Sequence, residues 1–252
     1  MNKLLITSIG RTGTVSLTDF LNSLPGVNAY HERKRQDVPF LFLSQTSNFK
    51  ELSSQYLKER DALAEDESCD HYVEVNPYLR FTDAQQLKAL GWNKVMLSRH
   101  PKTYLESVFT RRLYQDSDVL LDQLPQDGDP MAEGWFDRTR FEKLCWYYSK
   151  VANFMLDSEV RVYKFEELIK GGEVLKQFLQ DNDLPIPADS SLQLPKRNAS
   201  GASTLKARLK TAIAGKDFDD SPLDWNALSQ DELKTFNELC APVAKKLGYV
   251  LQ

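Results

Sequence analysis

Short apolar runs alternate along this chain with longer segments in which apolar residues recur every three or four positions. Four of the runs have the length and composition of buried strands, and they span 3–9, 71–75, 94–98 and 160–165; the segment 27–30 is a further candidate strand. Helical spacing separates each run from the next, which is typical of a parallel sheet with crossover helices. The pattern therefore predicts an α/β protein with three α/β/α layers and a central parallel sheet.

Capping residues indicate where several helices begin and end. The segments 82–85 and 229–232 have the residue types of capping boxes, and Gly91 and Gly248 stand where the helices that follow should stop. A long helix is predicted over 138–156. Its apolar stripe consists of Phe141, Leu144, Cys145, Tyr148, Val151 and Met155.

The composition is that of an ordinary globular protein, with 252 residues of which 41% are hydrophobic and 27% charged. These proportions exclude collagen-like, coiled-coil and disordered classes. Without a repeat or a low-complexity linker, the chain is expected to form a single domain over 1–252. The net charge of -4 argues against duplex DNA or an anionic membrane as a partner.

Cysteines and apolar runs bear on location. The three cysteines are widely spaced and form no CxxC pair, which argues against a disulfide framework and favours a reducing compartment. The apolar run at 3–9 is too short for a signal peptide, and no run approaches the roughly 18 apolar residues of a membrane span. The sequence therefore predicts a cytoplasmic protein that binds neither nucleic acid nor membrane.

A glycine-rich loop joins the first predicted strand to a helix that begins near Thr14. Glycine lets a backbone approach a ligand closely, and successive N–H groups at a helix N-terminus can bind an anion. Arg11 adds a fixed positive charge. The predicted anion ligands are Arg11, Thr12, Gly13, Thr14, Val15 and Ser16. The alternative is a plain strand–turn–helix with Thr14 as the helix cap.

This loop lacks the features of a nucleotide-triphosphatase loop. That motif, GxxxxGK(S/T), needs a lysine for the β- and γ-phosphates and a following hydroxyl for Mg²⁺. Here Thr14 follows Gly13. A ligand with a bridging phosphate and no metal-dependent γ-phosphoryl transfer fits better. No group of His, Cys and carboxylate residues has metal-ligand spacing, so no metal site is predicted.

A second candidate segment surrounds the end of the strand predicted over 94–98. Arg99 follows this strand, and Ser107 lies eight positions later on the next predicted helix. Ligands of doubly wound sheets bind outside the carboxyl ends of the strands, so Arg99 is expected at the same rim as the Gly13 loop. Arginine suits bidentate phosphate recognition. Taken alone, Arg99 and Ser107 would be ordinary surface residues.

Together these two segments resemble the sulfotransferases that use 3′-phosphoadenosine 5′-phosphosulfate (PAPS). Residues 11–14 fit that family's (K/R)-(S/T)-G-(S/T) loop, which binds the 5′-phosphosulfate, and 99–107 fit its R-x-P-x5-S element, which binds the 3′-phosphate. Weaker similarity extends over nearly the whole chain. Arg197 lies where the family has a late basic loop that closes over the 3′-phosphate, although the R-K-G triplet of the hormone-type members is absent.

The resemblance implies a P-loop-containing, nucleotide-binding fold and a metal-free sulfuryl transfer from PAPS to a hydroxyl or amine. The product nucleotide would be 3′-phosphoadenosine 5′-phosphate (PAP), and the acceptor a small molecule or a glycan. Arg11 would stabilise the bridging oxygen as PAP leaves. An arginine keeps its proton at neutral pH, so Arg11 can act only as a charge and a hydrogen-bond donor.

The reaction also needs a base for the acceptor's proton. His31 and Glu32 follow the strand predicted over 27–30, so this pair is expected at the same rim. Glu32 follows Arg11 by 21 positions, a separation similar to that of the catalytic glutamate in several sugar sulfotransferases. His31 is the alternative base. Either residue could instead pair with a nearby arginine, Arg33 or Arg35.

The acceptor site and the overall activity each admit more than one interpretation. Glu74 and Asn76 lie where related enzymes contact the acceptor, but a simple strand-end role explains them equally well. The segment 37–60 is either an apolar acceptor wall or a packing helix. A nucleoside or adenylylsulfate-type kinase and a non-catalytic PAP-binding module are the competing functions, and a homodimer is one assembly that the sequence allows.

Overall fold

Five parallel strands form the centre of the fold. Their order across the sheet is β2-β3-β1-β4-β5, and every neighbouring pair is parallel. The strands are β1 (Asn2–Ser8), β2 (Val27–His31), β3 (His71–Val75), β4 (Trp92–Ser98) and β5 (Arg161–Lys164). The computed structural model describes residues 1–34, 50–110, 114, 124–125, 128–187, 192–195 and 221–251. The predicted parallel sheet is confirmed.

Helices connect these strands and cover both faces of the sheet. The helices are α1 (Thr14–Leu21), α2 (Lys50–Glu65), α3 (Ala84–Ala89), α4 (Pro101–Phe109), α5 (Arg140–Asp157), α6 (Phe165–Leu168), α7 (Gly172–Asp181), α8 (Gln230–Thr235) and α9 (Ala241–Lys246). A π-helical turn over Phe236–Cys240 joins α8 to α9. None of the helices in the described ranges is long and apolar enough to cross a membrane.

The three layers follow from the alternation of side chains along the buried strands. Leu4 and Ile6 on β1 pack with α1 and α7 on one face, whereas Leu5 between them packs with α2 and α3 on the other. Successive strand residues point to opposite faces, so both faces of β1 are buried. The predicted α/β/α layering is therefore confirmed. The predicted stripe of α5 is also confirmed, since all six of its members are buried.

One predicted capping box is confirmed, and two other predicted helix features need correction. The capping box at 229–232 is present, with Ser229 and Glu232 bonding reciprocally. In the segment 82–85 the capping residue is Asp83, whose carboxylate accepts from the backbone of Gln85, while the Thr82 hydroxyl donates to the Leu79 carbonyl. The helix predicted to run from the capping box at 229–232 to Gly248 is interrupted by the π-helical turn.

The sheet order determines where a ligand can bind. Strand β1 lies in the middle, and the connections that leave β1 and β3 lead to opposite sides of it. At such a switch point the loops separate and leave a crevice at the carboxyl ends of the strands. The loop after β1, the end of β2 and the beginning of α4 all lie at this rim.

A buried lysine supports the segment beneath this rim. Lys94 on β4 donates to the carbonyl oxygens of Arg80 and Thr82, at 2.9 and 2.6 Å. Its ammonium also lies 5.2 Å from the centre of the Phe154 ring. Burial lowers the pKa of Lys94 to about 7, against a weaker opposing attraction from Asp83.

This pKa predicts a stability that depends on pH. Between about 7 and the ordinary lysine value of 10.5, the unfolded chain binds a proton at Lys94 that the folded chain does not. The free energy of unfolding should therefore rise with pH in this window. Lys94→Met removes the titrating group. The free energy of unfolding of wild type should therefore rise, relative to that of the variant, by about 1 kcal/mol per pH unit. Urea titrations at a series of pH values measure the difference, and a difference independent of pH would contradict the prediction.

Candidate active site

The loop between β1 and α1 has the backbone of an anion-binding turn. Gly10, Arg11 and Gly13 have φ angles of 93°, 57° and 64°, all in the left-handed region. Such conformations turn successive N–H groups towards one side. For the arginine this backbone is strained by on the order of 1 kcal/mol, and strain of this kind concentrates at functional sites.

The first turn of α1 follows without a side-chain cap. Gly13 is the N-cap residue, and no side chain in the described part of the chain bonds the N–H groups of the first turn. The interpretation in which Thr14 caps the helix is therefore wrong. Uncapped N–H groups at a helix N-terminus, with the positive end of the helix dipole, are suited to bind an anion. Val15 and Ser16 lie half-buried in this turn.

Thr12 gives an independent indication of a ligand. Its side chain is 1% exposed, and its hydroxyl has no hydrogen-bond partner among the described residues. An unsatisfied buried hydroxyl costs roughly 1–3 kcal/mol. An oxyanion in the loop is one group that would satisfy it.

Arg99 lies directly after β4 and faces this loop. Its Nε–H donates to the Thr103 hydroxyl at 3.1 Å, and a terminal N–H donates to the backbone carbonyl of Arg11. The Tyr148 hydroxyl donates to the Arg99 carbonyl at 2.9 Å and fixes the backbone. Burial lowers the pKa of Arg99, and the nearby Glu166 carboxylate partly opposes this effect.

Ser107 on α4 completes a cluster of three predicted site residues. Its hydroxyl accepts from Arg11 Nε–H at 3.0 Å. Arg11 is thus linked to Ser107 through its side chain and to Arg99 through its carbonyl. Two arginines and a hydroxyl from separate segments meet at one rim, a geometry that can hold a phosphate. The expected proximity of the two segments is confirmed, while the roles of these residues stay predictions.

The predicted base residues lie on the other side of Thr14. His31 Nε2 is 2.9 Å from the Thr14 hydroxyl, and Glu32 Oε1 is 3.7 Å from the same nitrogen. Both side chains are mostly buried, at 25% and 15% exposure. Arg33, one proposed structural partner, forms an ion pair with Glu67 at 3.0 Å. Glu32 has a φ of 48°, which is a further strained position at this rim.

The contacts of Glu74 and Asn76 favour the strand-end role. Glu74 is 1% exposed, forms a buried ion pair with Arg60, and accepts from Asn76 Nδ2 at 2.8 Å. The side-chain oxygen of Asn76 in turn accepts from the backbone of Tyr78. These contacts fix the turn after β3.

Some predicted residues lie outside the described part of the chain. They are Arg35, Arg197, and residues 37–49 of the acceptor wall. Residues 50–60 of that wall belong to α2, which supports the packing-helix interpretation for this part.

Three residues that were not predicted also shape the site. The Arg80 guanidinium is buried beneath the loop and donates to the Ser8 carbonyl at 3.0 Å. Phe165 packs against Gly13, where a Cβ atom would lie 2.5 Å from its ring. Glu166 accepts from the backbone N–H of His100 at 2.8 Å. All three reach the site through tertiary packing.

Two cavities lie within the described ranges. One of about 450 Å³ lies between β5 and α7, with Tyr163 and Gln177 in its wall. The other, of about 480 Å³, lies against α5 beside Trp146 and Phe154. Neither is lined by the loop or by Arg99.

Comparisons with known proteins identify the fold. No protein-family model matches the chain, and no curated protein is similar enough to count as a relative. The sulfotransferase domain from the curacin biosynthetic pathway is 16% identical, with a TM-score of 0.52, and the match covers 100% of this chain and 99% of that domain.

Two further solved structures are similar at lower scores. A sulfotransferase from Alicyclobacillus acidocaldarius is 14% identical over 86% of this chain and 97% of that one, with a TM-score of 0.47. Mouse sulfotransferase SULT7A1, complexed with PAP, is 12% identical over 97% and 85%, with a TM-score of 0.41. The fold assignment rests on the similarity to the curacin domain. At these sequence identities the similarity assigns a fold and not an activity. The chain has the sulfotransferase fold, which confirms the resemblance at the level of architecture.

Proposed function

We propose that this protein is a PAPS-dependent sulfotransferase. The observation that carries the proposal is the meeting of Arg11, Arg99 and Ser107 at the anion-binding loop. PAPS is a co-substrate with two separate anionic groups, and the rim offers two adjacent places for them. The uncapped turn at Thr14 fits the 5′-phosphosulfate, and Arg99 with Ser107 fits the 3′-phosphate.

The reaction exchanges one bond to sulfur for another. The bond from sulfur to the bridging oxygen breaks, and its electron pair stays on that oxygen in PAP. A lone pair of the acceptor's oxygen or nitrogen forms the new bond to sulfur, and the acceptor's proton passes to a base. Charge moves onto the bridging oxygen, so fixed positive groups beside it lower the barrier.

Arg11 and the loop supply those positive groups. The loop N–H groups are held in place by the backbone of Gly10–Gly13 and by Arg80 beneath it. Groups that are already oriented stabilise developing charge without further reorganisation. Arg11 keeps its proton and acts through charge and hydrogen bonds.

Glu32 is the proposed base, with His31 as its neighbour and alternative. Both lie at the end of β2, and Thr14 joins His31 to the loop that would hold the sulfuryl group. We propose a hydroxyl or amine of a small molecule or glycan as the acceptor, and the cytoplasm as the location.

Donor selectivity tests the proposal. If Arg99 binds the 3′-phosphate, PAP should bind much more tightly than 5′-AMP, which lacks that group. A hydrogen bond to a charged group contributes about 1.5–3 kcal/mol. Arg99→Ala should therefore lower the affinity for PAP roughly ten- to a hundredfold and change the affinity for AMP little. Calorimetric titration of both nucleotides measures this.

Arg161→Ala is the matched control for this experiment. Arg161 is the first residue of β5, lies level with Val95 in the middle of β4, and pairs with Asp181 at 2.6 Å. This variant should bind both nucleotides like wild type. Equal losses for PAP and AMP in Arg99→Ala would contradict the donor assignment, and tighter binding of Mg-ATP than of PAPS would favour a kinase.

A further inference from the structure

The carboxylate of Glu166 lies behind the proposed 3′-phosphate site and touches it only indirectly. Glu166 belongs to α6, directly after β5. One of its oxygens accepts from the backbone N–H of His100 at 2.8 Å and lies 3.3 Å from the Thr103 hydroxyl. His100 is the N-cap of α4, and its side chain makes no capping bond. The carboxylate therefore stabilises the N-terminus of α4 from outside the helix.

Thr103 connects this carboxylate to Arg99. Its hydroxyl oxygen accepts from Arg99 Nε–H at 3.1 Å, and its own hydrogen is directed to Glu166 or to the His100 carbonyl at 3.1 Å. Within the described ranges, no carboxylate forms an ion pair with Arg99. The guanidinium is thus oriented by its Nε while its charge is not neutralised by direct contact.

The other oxygen of Glu166 is held by the C-terminal segment. Tyr249 donates its hydroxyl to this oxygen at 3.2 Å, and the same hydroxyl lies 2.9 Å from Ser98 Oγ. Burial raises the pKa of Tyr249 well above its usual range, so this hydroxyl remains a donor at neutral pH. His100 Nε2 also lies 3.2 Å from the Val250 carbonyl. Glu166 is therefore fixed at both of its oxygens.

We propose that Glu166 is a positioning residue for the nucleotide: through Thr103 and the His100 backbone, it orients Arg99 towards the 3′-phosphate without pairing with it. A direct ion pair would compete with the phosphate for the guanidinium, whereas contact through a hydroxyl leaves for the ligand those terminal N–H groups that do not bond the Arg11 carbonyl. This inference rests on the proposed function, since it concerns how that same site recognises its donor.

The experiment compares PAP with 5′-AMP in four variants. Thr103→Val removes the connecting hydroxyl, Thr103→Ser keeps it, and Glu166→Gln removes the charge. Glu167→Gln is the control, because Glu167 lies on the same short helix but pairs with Lys164 at 3.4 Å. Calorimetry should show Thr103→Val and Glu166→Gln binding PAP about tenfold more weakly, with AMP little changed. Thr103→Ser and Glu167→Gln should behave like wild type.

The ratio of PAP to AMP affinity separates positioning from general stability. A merely structural role would lower the melting temperature and weaken both nucleotides together. If wild type prefers PAP but the ratio is unchanged in Thr103→Val and Glu166→Gln, the inference is wrong and the proposed function stands. If wild type shows no preference for PAP, the proposed function fails and this inference with it. Should Glu166→Gln not fold, the pair of Thr103 variants decides alone.

Discussion

Glu32→Gln is expected to lower kcat by roughly 10²–10⁴-fold while PAP binds with unchanged affinity. A base that takes the acceptor's proton contributes a factor of this size. Glutamine keeps the shape and hydrogen-bonding capacity of glutamate but cannot accept the proton. Because the loop and Arg99 are the proposed ligands of the nucleotide, its binding should not depend on Glu32. Transfer from PAPS is measured with whichever hydroxyl or amine acceptor wild type uses fastest.

His31→Ala is the companion variant, since His31 lies 3.7 Å from the Glu32 carboxylate and 2.9 Å from Thr14. With Glu32 as the base, removing His31 should cost less than removing the carboxylate. The reverse result, near-normal turnover in Glu32→Gln and none in His31→Ala, would transfer the role to His31.

The part of the site that could be predicted is the part encoded locally. The first 14 residues contain a buried strand, a loop with two glycines and the start of a helix. The backbone of this loop therefore follows from short-range rules. Arg99 could be placed at the same rim because the carboxyl ends of parallel strands share one edge.

Contacts between distant segments could not be predicted. Glu166 is 66 positions from His100, and Phe165 is still further from Gly13 in the chain. Nothing near either residue in the sequence indicates its partner, because these contacts arise only when β5 joins the sheet beside β4. The pairing of Arg60 with Glu74 is similar, since it depends on how α2 packs over β3.

Two local features were missed for reasons that are also physical. Thr82 and Asp83 are both good capping residues, and the hydroxyl of Thr82 bonds back to Leu79 instead. The apolar spacing after Ser229 predicts one helix, but Pro242 has no N–H to donate to the preceding turn. A π-helical turn just before α9 accommodates this loss.

Gly13→Ala is expected to destabilise the protein by about 2–5 kcal/mol and to abolish tight PAP binding. The new Cβ would lie 2.5 Å from the Phe165 ring, and φ at this position is 64°. The left-handed backbone costs a non-glycine residue about 1–2 kcal/mol, and overpacking about 1–3 kcal/mol more. Relief of the clash would move the loop or the ring, and both border the proposed phosphate site. Urea titration and calorimetry with PAP measure the two effects.

Gly134→Ala provides a matched control because Gly134 is also a helix N-cap, with φ and ψ of 65° and 17° against 64° and 25° at Gly13. No atom lies within 4 Å of its added Cβ, so this variant reports the backbone cost alone. Adding Phe165→Ala to Gly13→Ala should recover part of the stability, since residues in contact are not additive. If Gly13→Ala and Gly134→Ala lost the same stability, the Phe165 ring would not constrain the loop, and the close packing at Gly13 would have no energetic consequence.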